Sequence, residues 1–407
     1  MTKQHEERLA QKSELTYVLT DLNKTIKKLV EKSTQQQLAN NPDFRKLMKY
    51  RNMLTTQLGK YDLHTFVSNC WQITQKMDYQ EQWYIREICR HLELLYDLEF
   101  LKLIISISPR SGKSTILSTI YPVWLWLQEA SNKIISVSYD VSLATRDMSM
   151  SRDLMNSSWF GERYGDLFKF AFDQNQKDNY KNDKGGSRLA VSPGSKVTGY
   201  GAHYLCMDDI NRAQEAGNTK ALHKVIKFYE GTLSTRWVTP DTFRRVCLQQ
   251  RLSVDDLSGY LQREDSGWVV LSLPEEYTGR KHIGYGGVDP RNSVGELLKP
   301  TLLDRRYADE MKEKKSFVWE SQFQQNPVPP GGRYVKDTTL RYWSITSDKM
   351  RPPLDEFEYI FISADLSDGS LAEEASYNCF LVCGVIGRKL YVLDVEYEKL
   401  TFPDQLR

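Results

Sequence analysis

Hydrophobic residues recur along the first 60 residues with the spacing of a helix. Between residues 6 and 32 they fall every three or four positions, which places them on one stripe. A polar break follows, and Pro42 begins a second segment with the same spacing. The pattern predicts a helical hairpin over residues 1–60. Because the dense apolar runs begin only later, we expect the rest of the chain to fold without it.

After residue 60, short and dense apolar runs alternate with helical segments. The runs cover residues 98–108, 133–139, 188–192, 204–207, 244–249 and 267–273. Such runs are typical of strands that are buried on both faces of a parallel sheet. Helical spacing lies between them, at residues 114–127, 142–157 and 219–233. This alternation predicts an α/β domain with a doubly wound, mainly parallel sheet over residues 61–275.

The last third of the chain changes character twice. Residues 276–355 carry Gly and Pro clusters, at 284–287, 327–332 and 352–353, and are predicted to be a linker or subdomain. Residues 359–364, 378–386 and 389–395 then have strand character, with a tight turn between the last two. The pattern predicts that a second, β-led domain begins within residues 356–407.

Composition excludes several classes of protein. No stretch approaches the roughly 20 apolar residues of a membrane helix, and the amino terminus lacks the apolar core of a secretory signal. The six cysteines form no C-x-x-C pair, so neither a zinc site nor a disulfide framework is indicated. These features predict a cytoplasmic protein that does not enter a membrane.

Charge is unevenly distributed behind a formal net charge of +2. Residues 1–60 contain 12 Lys and Arg against 6 Asp and Glu, a balance of +6, and the remainder has a balance of −4. A basic arm of this kind permits contact with nucleic acid, but a solvated helical face produces the same composition. Both interpretations stay open.

A phosphate-binding loop follows the first dense apolar run. The strand ends at Ile107, and the loop leads directly into a helix. Backbone N–H groups of such a loop bind phosphate oxygens, its Lys contacts the terminal phosphates, and its hydroxyl residue binds Mg²⁺. Ile107 replaces the usual first Gly, and Arg110 adds a candidate catalytic cation. The candidate nucleotide-binding residues are Pro109, Arg110, Ser111, Gly112, Lys113, Ser114 and Thr115.

Two carboxylates end the apolar strand at residues 204–207. Asp208 is the candidate Mg²⁺ ligand, together with Ser114, and Asp209 is the candidate base that acts on the attacking water. The alternative is a helix cap, because Asp-Asp-Ile-Asn can also begin a helix. The phosphate loop upstream favours the catalytic interpretation, with ATP and Mg²⁺ as cofactors.

Five segments in this order resemble the large terminase subunits of tailed phages and prophages. They are the phosphate loop at 105–114, the turn at 197–203, the stretch 251–259, the Gln-Gln-x-Pro linker at 324–327 and the strand at 363–367. The resemblance extends over about residues 75–407, nearly the whole chain apart from the hairpin.

The resemblance implies a DNA-packaging motor. An ATPase domain would translocate double-stranded DNA through a portal protein into a procapsid, as a homo-oligomeric ring that works with a small terminase subunit. The protein would act in the host cytoplasm and dock transiently on the procapsid. A polar residue after the next strand would couple nucleotide state to movement, and Gln250 occupies this position. Arg146 and Arg152 are candidates for an arginine finger, although surface arginines are common.

The resemblance also implies an RNase H-like nuclease that uses two metal ions. Asp365 is the candidate catalytic acid and first metal ligand, Asp394 is the second ligand, and the metal would be Mg²⁺ or Mn²⁺. Only 13 residues follow Asp394. We therefore expect the nuclease domain to be incomplete in this chain and its cleavage of DNA to be weak.

Two other functions stay open. A helicase-like or remodelling ATPase that acts on nucleic acid would carry the same phosphate loop and acids, and so would a nucleotide-gated binding protein without turnover. Tyr79 and Gln82 are candidates for contact with adenine, although packing of an aromatic helix explains them equally well.

Overall fold

The computed structural model describes residues 3–195, 197, 199–328, 352–367, 378–401 and 403. The chain divides into two compact units, Met1–Arg333 and Tyr334–Arg407. The first unit therefore includes the hairpin, the large sheet and most of the segment predicted as a linker. The Pro-Gly turn at 329–332, part of that prediction, lies outside the described residues. No helix in the described part of the chain is long and apolar enough to cross a membrane.

The first unit begins with five helices. They are α1 (Lys3–Glu31), α2 (Gln35–Asn40), α3 (Pro42–Tyr61), α4 (Leu63–Gln75) and α5 (Trp83–Tyr96). Helix α3 begins where the sequence predicts, because Pro42 occupies its first turn and the Asn41 side chain accepts hydrogen bonds from two of its N–H groups. Helices α1 and α3 pack against each other, which confirms the hairpin.

An eight-stranded sheet with helical connections follows. Its elements are β1 (Lys102–Ile107), a π-helical turn (Thr115–Ile120) that continues as α6 (Tyr121–Gln128), β2 (Lys133–Val137), α7 (Val141–Asn156), α8 (Ser158–Tyr164), β3 (Phe170–Asn175), β4 (Asn179–Asn182), β5 (Ser187–Val191), β6 (Tyr204–Asp208), α9 (Thr219–Phe228) with a π-helical turn (Tyr229–Leu233), β7 (Arg244–Gln249), α10 (Leu257–Glu264) and β8 (Val269–Leu273). The strand order is β3-β4-β5-β2-β6-β7-β1-β8.

The predicted fold class, an α/β domain with a mainly parallel sheet, is confirmed. Strands β5, β2, β6, β7, β1 and β8 are parallel, and only β3 and β4 pair antiparallel, at one edge. Because the strands alternate their side chains between two faces, neighbouring residues enter different cores. Leu103 and Ile105 pack with α4–α7, whereas Ile104 packs with α9 and α10. Because β1, β6 and β7 are parallel neighbours, their carboxyl ends meet at one edge of the sheet.

Residues 276–328 are ordered against the end of β8. They form β9 (His282–Ile283), β10 (Gly287–Val288), α11 (Arg305–Lys314), α12 (Ser316–Val318) and a π-helical turn (Trp319–Phe323). Arg291 is buried and donates to the carbonyls of Pro274, Glu275 and Glu296 at 3.0–3.1 Å. The carbonyls of Glu275 and Glu296 also accept backbone N–H groups, so the guanidinium adds a second hydrogen bond to each and ties the irregular segment to the end of β8.

A cluster of buried charges joins α1 to the rest of the first unit. Arg8 donates from Nε to Asp97 at 2.9 Å, and its Nη1 lies 3.0 Å from Glu93. Lys12 Nζ lies 2.5 Å from Asp62 and 3.1 Å from Glu93. This hairpin-base cluster consists of His5, Arg8, Lys12, Asp62, Glu93 and Asp97. The acids lie at the start of α4 and the end of α5. Ion pairs from α1 therefore hold the hairpin against these two helices.

This docking revises the expectation that the rest of the chain folds without the hairpin. Glu93 and Asp97 are 3% and 0% exposed. Without α1 they would lose their cationic partners, and an uncompensated buried carboxylate costs several kcal/mol. Sequence reasoning weighed only apolar burial at this point and did not detect ion pairs that span about 90 residues.

The second unit is a three-stranded antiparallel sheet in the order β11-β12-β13. Its strands are β11 (Tyr359–Asp365), β12 (Asn378–Ile386) and β13 (Lys389–Glu398), close to the three predicted segments. The register pairs Asp365 with Cys379, and it pairs Val382 with both Ile362 and Asp394. A tight turn with Gly387 at φ 59° joins the last two strands, as predicted.

Candidate nucleotide-binding site

The phosphate loop turns sharply between β1 and the following helix. Two of its residues adopt left-handed backbone conformations, Arg110 with φ 58° and Gly112 with φ 77°. A Cβ atom on Gly112 would lie 2.8 Å from Cη2 of Trp71, closer than real contacts allow. Glycine is therefore required at position 112 for two reasons. Other residues rarely adopt this backbone conformation, and the indole ring of Trp71 leaves no space for a side chain. The non-glycine Arg110 stores backbone strain of the kind that clusters at functional sites.

Lys113 and Asp209 form an ion pair at the centre of the site. Lys113 Nζ lies 3.0 Å from Asp209 Oδ1, and the backbone N–H of Gln250 donates to the same oxygen at 3.3 Å. Lys113 is buried, whereas the side chain of Asp209 is 32% exposed. Asp209 also has a left-handed backbone, with φ 43°. The turn after β6 thus directs this carboxylate outward, toward the lysine.

The Asp208 side chain is buried instead, and it accepts hydrogen bonds from two hydroxyl groups. Ser114 Oγ donates to Oδ1 at 3.2 Å, and Ser118 Oγ donates to Oδ2 at 2.7 Å. Burial and the neighbouring charge of Asp209 raise the pKa of Asp208 to about 7, against the opposing effect of Lys113. Two adjacent acids are therefore in different environments, and Asp208 is the one that a nearby cation would ionise.

A cavity of about 600 Å³ opens over the loop. The seven predicted loop residues, Asp209 and Gln250 all line it, and Asp208 lies behind its wall. Sequence reasoning missed most of the remaining lining, which comes from the end of α4, the segment after it, the start of α5 and the segment before α11. These lining residues are Trp71, Gln75, Met77, Asp78, Gln80, Tyr84, Ile85 and Leu302.

The two adenine candidates separate in the structure. Gln82 lines the cavity and its Nε2 donates to Thr301 Oγ1 at 3.3 Å. Tyr79 does not line it, because its hydroxyl group lies 2.8 Å from Nε2 of His64 and its ring packs edge-on against Trp71. Tyr79 therefore supports the wall from behind.

A buried ion pair supports the phosphate loop from below. Lys299 Nζ donates to the carbonyl of Pro109 at 2.7 Å and to Ser108 Oγ at 2.8 Å, and it lies 3.2 Å from Glu275. Lys299 and Glu275 are 1% and 0% exposed. Burial lowers the pKa of Lys299, although Glu275 opposes this. The sequence contained no signal for this brace, because Lys299 lies 190 residues from the loop in a segment without regular periodicity.

Several polar atoms near the cavity have no partner within the described structure. They are Ser111 Oγ, Gln250 Oε1 and both amide atoms of Gln249. Buried polar groups are nearly always paired, so a group left unpaired next to a cavity indicates a place where a polar ligand binds. Gln249 ends β7 and Gln250 follows it, at the position where a nucleotide-sensing side chain is predicted.

The two arginine-finger candidates both lie on α7 and away from the cavity. Arg146 donates to the adjacent Asp147 at 2.8 and 2.9 Å, and Arg152 donates to the Gln176 carbonyl at 3.4 Å. Neither lines the cavity. A role in a neighbouring subunit of a ring stays a prediction for both.

The structure does not bring the two nuclease acids together. Asp394 pairs across β12 with Ile362, so the two share a face, and Asp365 lies three residues further along β11. Alternation along the strand places Asp365 on the opposite face. Within the described residues no group of three or more His, Cys, Asp and Glu side chains could hold a metal ion. Asp368, another acid of this region, lies outside the described residues.

Comparison with known proteins gives matches among solved structures alone. No family model matches the chain, and no curated protein matches it. The large terminase from the thermophilic bacteriophage D6E in complex with ADP is 10% identical, with 74% of this chain and 64% of that chain covered and a TM-score of 0.36.

The complex of the same terminase with ATP-γ-S is 9% identical, with 76% and 66% covered and a TM-score of 0.36. The chain thus spans 64 to 66% of the length of these structures. At this identity and TM-score, the similarity does not show what the chain binds or does.

Proposed function

We propose that the chain binds and hydrolyses ATP as the motor of a large terminase subunit. The observation that carries the ATPase part is the pairing of Lys113 with Asp209 at the rim of the cavity over the phosphate loop. A lysine for the terminal phosphates and an acid for water thus meet at one edge of a parallel sheet, where ligands of such folds bind.

The donor set behind the loop fits Mg²⁺. The hydroxyl of Ser114 and the carboxylate of Asp208 are hard oxygen donors that already contact each other. Mg²⁺ is usually bound through one or two protein oxygens together with substrate phosphates, so a cage of protein ligands is not required. When bound, Mg²⁺ would neutralise charge on the phosphates.

The Lys113–Asp209 pair is the contact that a bound nucleotide would rearrange. Each charge neutralises the other at 3.0 Å. An arriving triphosphate offers Lys113 a partner of higher charge, and a lysine that turns to the phosphates releases Asp209. The freed carboxylate then lies beside the phosphates and accepts a proton from the attacking water. Arg110, exposed at the loop and lining the cavity, adds positive charge where negative charge develops.

The packaging role rests on the order of the terminase-like segments in the sequence. In this proposal the ATPase works as a homo-oligomeric ring on the portal protein, moves double-stranded DNA into a procapsid in the host cytoplasm and cooperates with a small terminase subunit. The second unit would belong to a nuclease in which Asp365 contributes to binding of Mg²⁺ or Mn²⁺, whereas Asp394, on the opposite face of the sheet, would not reach the same ion. Loss of metal-dependent plasmid cleavage in Asp365→Ala would support this last assignment.

One experiment tests the proposal as a whole. ATP hydrolysis by the purified chain is measured alone, with double-stranded DNA, and with DNA and procapsids. Hydrolysis that rises with double-stranded DNA and procapsids supports the motor. Hydrolysis coupled to separation of the strands of a short duplex would indicate a helicase-like enzyme instead. Nucleotide binding without turnover under any condition would contradict the ATPase.

A further inference from the structure

A proline shapes the helix that follows the phosphate loop. In a regular α-helix the carbonyl of Ser118 would accept the N–H of residue 122, but Pro122 has no N–H and its ring crowds that carbonyl. The chain forms a π-helical turn over Thr115–Ile120 at this place, and the N–H of Tyr121 donates to the carbonyl of Ile116, five residues back. Turns of this kind are frequent at functional sites.

The carbonyls at the end of the turn are bound by side chains from other elements. Arg188, on β5, donates from Nη2 to the Ser118 carbonyl at 3.0 Å, and Ser151, on α7, donates to the Thr119 carbonyl at 2.7 Å. Arg188 also donates from Nη1 to Ser151 Oγ at 2.7 Å. The wide turn is therefore anchored at two adjacent positions.

Arg188 is an unusual residue to bury. It is 1% exposed, and within the described residues no carboxylate lies within ion-pair distance of it. Its partners are hydroxyl groups and one carbonyl, so it retains its charge inside the protein at a cost in desolvation. A neutral side chain could fill the space, which indicates that the hydrogen bond to the turn matters.

The anchored turn presents Ser118 to the candidate metal ligand. Ser118 Oγ donates to Asp208 Oδ2 at 2.7 Å, while Ser114 occupies Oδ1. We propose that Ser118 is a positioning residue that fixes the Asp208 carboxylate for Mg²⁺, and that Pro122 and Arg188 hold Ser118 in place. This inference rests on the proposed function, because it concerns the metal of the same site.

Nucleotide affinity with and without Mg²⁺ separates positioning from general support. A fluorescent ADP analogue is titrated into the full chain in Mg²⁺ and in EDTA. Loss of a group that orients a metal ligand typically costs 10- to 100-fold in metal affinity. We expect Ser118→Ala to reduce the gain in affinity that Mg²⁺ produces by about 10-fold or more, with the affinity in EDTA unchanged.

Ser106→Ala is the matched control. Ser106 is also a buried serine, on β1 directly before the loop, and its Oγ has no partner within the described structure. The control removes the same atom without removing a hydrogen bond, so its two affinities should equal those of the unchanged protein.

Pro122→Ala is the second variant, in case Ser118→Ala does not fold by circular dichroism. It restores an N–H that competes with Arg188 for the Ser118 carbonyl, so we expect a smaller loss in the same direction. An unchanged Mg²⁺ effect in both variants, or an equal loss in Mg²⁺ and EDTA, would overturn the positioning role alone. No nucleotide binding by the unchanged protein would overturn the proposed function and this inference together.

Discussion

The protein contains two buried charge clusters that are built in opposite ways. In the hairpin-base cluster, Asp97 is bound by Arg8, and Glu93 is bound by both Arg8 and Lys12. At the phosphate loop, Lys113 contacts one of two adjacent acids, Asp208 depends on hydroxyl groups, and the backbone of Asp209 is left-handed. In the first cluster these acids are paired with cations, whereas in the second Asp208 has only hydroxyl groups as hydrogen-bond donors.

The difference separates charge used for packing from charge held ready for a ligand. Buried acids that are fully paired resist change, and removal of one partner is costly. Asp209 has one lysine partner and Asp208 has two hydroxyl partners, so this pair of acids could accept another cation. The unpaired side-chain atoms of Ser111 and Gln250 nearby could bind a polar ligand. Charge and burial alone would not distinguish the two clusters, but the completeness of pairing does.

The largest expected effect lies at the phosphate loop. Lys113→Ala should reduce ATP hydrolysis by about 10³-fold or more, because it removes a charge that stabilises the transition state. Steady-state phosphate release measures the effect, and thermal unfolding serves as the control for folding. Turnover within a few-fold of the unchanged protein would contradict the assignment of this loop.

The next effect concerns the hairpin-base cluster and appears in stability. Arg8→Met keeps the length of the side chain but leaves Asp97 without its guanidinium, so the free energy of unfolding should fall by about 3–5 kcal/mol. Urea denaturation measures this. Lys27→Met, on the exposed part of α1, is the matched control, because its contact with Glu31 at 3.9 Å is solvated. Equal stability of the two variants would show that the hairpin-base cluster does not hold α1.

Asp209→Asn should lower turnover by about 10²-fold while nucleotide binding persists, because it removes the acid that accepts the proton of water. Binding of a fluorescent ATP analogue and phosphate release are measured on the same sample. If binding is lost together with turnover, the Lys113–Asp209 pair supports the loop structurally and the acid is not a base.

The smallest effect is a difference in pH dependence between the clusters. The pKa of Asp208 is raised to about 7, so Mg²⁺ must displace a proton below that pH. The gain in nucleotide affinity from Mg²⁺ should therefore rise up to about tenfold per pH unit below pH 7 and level off above it.

The pKa of Asp62 is shifted in the opposite direction, and its effect appears in stability at lower pH. Burial would raise the pKa of Asp62, but Lys12 lowers it below its ordinary value. Its contribution to stability is therefore present above the ordinary pKa of an aspartate and is lost as the pH falls below it. Urea denaturation of Lys12→Met and the unchanged protein over acidic pH measures this, and a constant difference would contradict it.

Sequence reasoning found what is encoded locally. The loop residues 109–115 are consecutive, and Asp208 and Asp209 follow a short apolar run, so strand, turn and acid could be predicted from neighbours alone. Strands β3 and β4 were missed because their segment is polar, with Asn, Gln, Asp and Lys between the apolar residues. A central parallel strand is apolar on both faces, but an antiparallel edge strand need not be.

The remainder of the site depends on partners that are distant in the chain. Trp71 over Gly112, Lys299 below Pro109 and Arg188 at Ser118 are each single side chains without a periodic pattern around them. Pro122 was visible in the sequence. That Arg188 donates to the Ser118 carbonyl, which Pro122 cannot bind, follows only from the structure.

The brace between Lys299 and Pro109 has a consequence for the order of events during synthesis. Chains emerge from the ribosome amino terminus first, and early segments begin to fold before later ones exist. The phosphate loop is complete in sequence at residue 115, but the cation that fixes its first carbonyl emerges almost two hundred residues later. A nascent chain shorter than 299 residues therefore carries the loop without its brace, and the loop gains its full set of contacts only late in translation.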